Sequence, residues 1–537
     1  VVVGDEAGTA LTTGEQNSAF GFGALDSDTL GNYSVAIGTS ALTAQNFTSD
    51  TDSYNVAVGF NAGAAVTTGI QNTLIGALAG DALTDSGPVV AVGYAALSTE
   101  DRDGGGSTAI GYQALTTQNA GATAYNTAVG WNAGLSITTG IYNTFLGGDA
   151  GKLLTDADFN VAVGTFALDK DELGSKSTAL GYAALSTQDF TTATDSFNTA
   201  VGFEAGVSVT TGVKNTLIGT TSGTSLTDAD LNTAVGFDAL ASDTLGSRSV
   251  AIGKSTLNAQ NFTTATDTYN TAVGYHAGLA VTTGQYNTFL GGQAGDATTS
   301  GNNNIAIGYE SFTTNILSDR NVAIGNYALA THNQASSIDS YNTAVGFQAG
   351  LSVTTGIRNV IVGGLAGDAL TDADFNVAVG HAALSTDTLG SKSVAIGNGS
   401  LGAQNFTTAT DTFNTAVGTN AGTAVTTGIK NTILGALALD KETQGNKSVA
   451  IGYQSLTNQD MGADTDAFNV AVGFNAGSSV STGIQNVFIG GLSGDGTDDG
   501  NFNVAVGTQT LSANSGDSNT AIGYNALAVC TGANNTA

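Results

Sequence analysis

Proline is nearly missing from this chain: one residue in 537, Pro88. A hydrogen-bond ladder excludes proline, which has no N–H to donate, so the scarcity fits a continuous ladder. A single cysteine, Cys530, rules out an internal disulfide framework. Basic residues are few, with 13 Lys and Arg against 44 Asp and Glu, giving a net charge of −31. Phosphate backbones and anionic membranes repel such a surface, so nucleic acid is not an expected partner. No apolar run reaches the ~18 residues of a transmembrane helix, so no membrane insertion is expected in this segment. No signal peptide is visible, and a chain that opens inside a repeat would not display one. Catalysis has little to draw on. His276, His332 and His381 are scattered, and no Ser/His/Asp or metal-ligand set recurs, so neither enzyme activity nor a cofactor is expected.

Glycine, in contrast, is abundant at 75 residues, and its placement carries the reading. A phrase whose commonest form is Asn-Thr-Ala-Val-Gly recurs along the chain, as in Asn126–Gly130, Asn198–Gly202, Asn270–Gly274 and Asn342–Gly346. Counting the closing glycine from Gly4 to Gly523 gives thirty copies, most of them 17 residues apart. Six steps are 21 residues, ending at Gly59, Gly202, Gly274, Gly346, Gly418 and Gly473, and a 19-residue step ends at Gly130. From Gly130 to Gly418 the order is a 72-residue super-repeat of four units. A fixed short period means a repeat architecture. With apolar residues at 41% and no composition shift, residues 1–537 read as one continuous repeat domain cut inside a repeat at both ends.

The repeat is rich in β-branched residues and alternates at period two. In Thr271-Ala272-Val273, Thr271 and Val273 share one face and Ala272 points to the other. Seventeen residues leave room for two short strands and two turns but none for a helix. The expected fold is all-β: a parallel β-solenoid of about thirty coils, stacked at ~4.7–4.9 Å into a rod of roughly 140 Å. The motif Ala becomes larger in one coil per super-repeat, at Leu74, Phe145, Leu217, Phe289, Ile361, Ile433 and Phe488. The coil before each carries Gly where others have Leu, at Gly63, Gly134, Gly206, Gly278, Gly350, Gly422 and Gly477. Small beside large conserves core volume, so these positions are expected in one core column. The strand is apolar on both faces. One face fills the coil, and the other calls for cover, for which lateral association along the rod is the economical answer.

Four copies read Ser-Val-Ala-Ile-Gly: Ser34–Gly38, Ser249–Gly253, Ser393–Gly397 and Ser448–Gly452. They resemble the head repeats of trimeric autotransporter adhesins. The variant Asn-Thr-Ala-Ile-Gly-Tyr-x-Ala-Leu at Asn519–Leu527 is similar to repeat regions of phage tail fibres. The resemblance implies a left-handed β-roll and a homotrimer. It also implies an extracellular fibre shaft, either a virion appendage in host attachment or a bacterial cell-surface adhesin. The 17-residue period and regular insertions depart from the adhesin pattern, and no neck, stalk, anchor or chaperone sequence accompanies them.

The inserted loops share a plan that marks candidate contacts. An acidic residue and an aromatic precede the motif Asn in six loops: Asp52 and Tyr54, Asp195 and Phe197, Asp267 and Tyr269, Asp339 and Tyr341, Asp411 and Phe413, Asp466 and Phe468. The shorter insertion has Thr123 and Tyr125. One reading is a row of sites for cell-surface glycans, a host receptor or Ca²⁺; the other is a turn capped by an aromatic lid. Asp156/Asp158, Asp228/Asp230 and Asp372/Asp374 have a spacing suited to Ca²⁺ but lack the glycine and distal glutamate of a calcium loop. Thr-Thr-Gly recurs, as at Thr138–Gly140, in about one coil in four, a sparse array for binding ice. The loops themselves are expected to project from the shaft and to be dispensable for folding.

Overall fold

The computed structural model describes residues 1–101 and 105–537. These fall into two compact units, Val1–Tyr269 and Asn270–Ala537. Each is a parallel β-solenoid, and among the described residues there is no helix. In each unit fifteen short strands, one per coil, stack into a parallel sheet. The register keeps motif on motif: Thr127, Ala128 and Val129 pair with Thr144, Phe145 and Leu146. In the second unit Thr343, Ala344 and Val345 pair with Val360, Ile361 and Val362.

The sequence predicts two strands per coil, yet most coils hold one. The backbone explains the difference. Three times per turn, besides the closing glycine, it enters the left-handed region, often with a side chain present, as at Tyr142, Asn132 and Leu115. Each such residue bends the chain and ends a strand. The bends nevertheless stay bonded to the next coil. Gly63 donates to the Ala79 carbonyl at 3.0 Å, and Thr67 to the Thr84 carbonyl at 2.7 Å. Inter-coil bonding therefore continues through the turns, which is why proline is scarce.

The closing glycine is fixed by geometry. Gly202 has φ 141°, and a Cβ there would lie 2.5 Å from the Gly219 carbonyl oxygen of the next coil. The motif Asn is fixed by hydrogen bonding. It lies in the interior, where Asn143 donates its backbone N–H to Asn126 Oδ1 at 2.8 Å and its Nδ2 to the Ala157 carbonyl at 2.8 Å. Asn160 repeats the step onto Asn143 Oδ1 at 2.9 Å. A ladder of asparagines thus satisfies buried backbone groups that water cannot reach.

Motif alanines such as Ala128 and Ala272 are fully buried and point into the coil. The expected core column exists. A Cβ on Gly134 would sit 2.7 Å from Phe145, and one on Gly477 2.8 Å from Phe488. Six of the seven large side chains, all but Ile433, also meet a glycine of their own coil, as Phe289 meets Gly295, where a Cβ would sit at 2.5 Å. The large ring is accommodated by small residues on two sides.

Candidate functional surfaces

The outward face of the long sheet follows from the period-two strand. Since Ala128 and Phe145 point inward, the residues before the closing glycine point out. Leu146, Leu290 and Leu434 keep 45–48% of their surface exposed. The residue after the glycine adds a second exposed row that sequence reasoning missed, although its signal is plain. Tyr94, Tyr112 and Trp131 occupy this slot in successive coils and stack with centroids 5.4 and 4.1 Å apart. Trp131 is 58% exposed. Tyr453 stacks on Phe474 in the same way at 5.7 Å. Aliphatic and aromatic rows together make a long apolar face in each unit.

The sequence-marked loop residues lie at an outer turn, and the structure joins them to a cation of the preceding coil. Lys176 Nζ is 2.5 Å from Asp195 and 5.2 Å from the Phe197 ring centroid. Arg248 Nε lies 2.9 Å from Asp267 and its guanidinium 5.6 Å from the Tyr269 ring. Arg320 holds Asp339 at 2.5 Å and covers Tyr341 at 5.6 Å. Lys392 holds Asp411 at 2.5 Å and covers Phe413 at 5.3 Å. Lys447 pairs with Asp466 and lies 5.0 Å from Phe468. The first loop lacks the cation. There Tyr33 stacks on Tyr54 at 5.0 Å, and Asn32 Nδ2 donates to Asp50 and Asp52 at 2.6 and 3.2 Å. In the shorter loop Tyr125 stacks on Tyr142, and Tyr142 on Phe159.

Electrostatics follows these contacts. The hydrogen bond from Lys447 holds the Asp466 carboxyl below the usual range. The Asp52 charge raises the Tyr54 phenol. Both groups face solvent, where ion pairs contribute little to stability. A shallow polar groove at the first loop is lined by Thr13, Glu15, Asn32, Tyr33, Asp50, Thr51 and Asp52.

Beneath the loops lies a polar cluster that the sequence did not disclose. Asp171 is fully buried and accepts bonds from the backbone N–H of Gly174 at 3.0 Å and Phe190 at 3.2 Å, and from Gln188 Nε2 at 2.5 Å. Gln188 also donates to Ser177 Oγ, and its oxygen accepts from Asn198 Nδ2, each at 2.9 Å. The same arrangement recurs with Asp28 and Gln45, Asp243 and Gln260, Asp387 and Gln404, and Glu442 and Gln459. Burial pushes the Asp171 carboxyl above its ordinary value. The loop phenylalanines Phe47, Phe190, Phe262 and Phe406 are buried beside this cluster. The tails of the loops form short parallel strands on the preceding coil, as Thr266–Asp267 does on Gly246–Ser247. Four of the loops, those built on Gln45, Gln188, Gln260 and Gln404, are therefore anchored at three points as well as projecting from the shaft.

Two further motifs meet each other. Thr139, in Thr-Thr-Gly, donates to Asp156 at 2.5 Å, and the Ile141 N–H donates to Asp158 at 2.8 Å. Thr211 with Asp228 and Val213 with Asp230 repeat the pair at 2.7 and 2.8 Å. Here Asp-x-Asp staples one coil to the one before it. In comparisons with known proteins the chain matches no family model, no curated protein and no solved structure.

Proposed function

We propose that the chain is the structural shaft of a trimeric extracellular fibre, holding a recognition element away from a virion. A bacterial surface adhesin is the second setting for the same shaft. One observation carries this reading: each unit leaves an outward row of Val, Ile, Leu and Phe side chains before the closing glycines, flanked in about half of the coils by an exposed aromatic. Monomers seldom expose apolar stripes of that extent, and such stripes mark association. Two further copies offer matching stripes at the same period, and the homotrimer is the state that the resemblance to β-roll heads implies. Five of the seven outer-turn aromatics lie against Lys or Arg of their own chain, and Tyr54 and Tyr125 lie against a tyrosine, so the loops support an architectural role better than a row of open glycan sites. The reading assigns no catalysis and no cofactor.

Charge on the outward row tests it. Leu146→Asp with Leu290→Asp should convert the assembly to monomers in sedimentation velocity while the β-type circular dichroism persists. Variants that sediment as the parent does would remove this face as the interface.

A further inference from the structure

One inserted loop differs from its siblings underneath. Where others bury a carboxylate–Gln pair, the loop carrying Asp339 buries Asn315 and His332 at the corresponding places. The His332 ring is fully buried and stacks on Phe312 of the coil below with centroids 5.8 Å apart. Its Nε2 lies 3.2 Å from Ser340 Oγ, and its Nδ1 has no hydrogen-bond partner. The other members of the cluster are uncharged. Asn315 Oδ1 accepts from the Ser318 backbone N–H at 3.1 Å and from the Ser318 hydroxyl. The ionised side chains of these coils are engaged elsewhere. Arg320 holds Asp339 at 2.5 Å, Ser337 donates to Asp319 at 3.0 Å, and Glu310 bonds to Tyr309. On the coil above, Arg358 covers Phe375 at 5.3 Å.

We infer that residues 331–341 form an acid-sensitive joint, because a proton on His332 meets no carboxylate inside the coil, whereas the Asp–Gln loops hold no group that gains charge on acidification. Burial draws the His332 pKa down from 6.5 to about 4, with the Thr354 backbone acting in the opposite sense. The folded state favours the neutral ring. Its contribution is therefore complete above pH 6.5, declines as pH falls, and is gone below about 4. At pH 5 the linkage corresponds to roughly a thirtyfold fall in the closed-to-open ratio. Protonation of a buried carboxyl raised as Asp171 is raised works the other way, favouring the closed loop in acid.

Hydrogen exchange on the full chain, followed by mass spectrometry from pH 7.5 to 5 with correction for intrinsic rates, tests this. Protection of residues 331–341 should fall roughly thirtyfold relative to residues 259–269, the loop built on Gln260. His332→Gln should abolish that difference. Equal losses in both loops, or a difference that survives in His332→Gln, would overturn the joint. Should the variant fail to fold, the two loops of the parent chain still decide the matter.

Discussion

A single methyl group separates permitted from forbidden at several places in the coil. The closing glycine combines a φ near 141° at Gly202 with a carbonyl where its Cβ would stand, so both conformation and space exclude alanine. The motif alanine faces the opposite limit. It can enlarge to Phe only where glycines on two sides make room, as Gly134 does for Phe145. Phe289, fully buried against Gly295, is the sharpest test of that pairing. Phe289→Ala should open a cavity that the neighbouring glycine cannot fill and should cost about 3–5 kcal/mol. The measurement is chemical denaturation. A change below about 1 kcal/mol would mean that the coil collapses onto the void.

At the scale of the element, the inserted loop is a small anchored structure. In the loop built on Gln260, a buried Phe, a buried Gln on a buried carboxylate, and a two-residue strand hold it to the shaft. Phe262→Ala removes the apolar anchor without touching the Gln260 bonds to Asp243 and Ser249 at 2.6 and 2.8 Å. Proteolysis should then cut within residues 261–266 well before the remainder of the shaft. Unchanged cleavage would show that the polar cluster suffices. Deleting residues 263–266 should likewise destabilise the loop, since Thr266 donates to the Leu245 carbonyl at 3.3 Å and pairs with Gly246.

This element also shows what a sequence can and cannot disclose. The period, the inward Ala and the small-against-large column were legible because each repeats at one fixed step. Asp243 and Gln260 are also 17 residues apart, but a polar residue on a repeat looks the same whether it faces water or a buried partner. Their burial depends on the coil stacking that brings them together. Lys176 and Lys392 occupy the slot before the motif that other coils give to aromatics such as Tyr142. Their closure onto Asp195 or Asp411 needed the register of the short second strands. The extra strand expected in every coil failed because left-handed residues such as Leu115 end it early.

At the scale of the whole molecule, two tendencies oppose each other. A net charge of −31 disfavours crowding of identical chains, while the outward rows of both units favour it. Raised salt screens the first and leaves the second, so any association should strengthen with ionic strength. Acid works locally through His332, and generally by reducing the charge on the carboxylates. The account stands or falls on whether the outward face is covered in solution. Multi-angle light scattering on the full chain at neutral pH and moderate salt measures this directly. A mass about three times the 53.1 kDa of one chain is the predicted result, and a monodisperse particle at the mass of a single chain would contradict it.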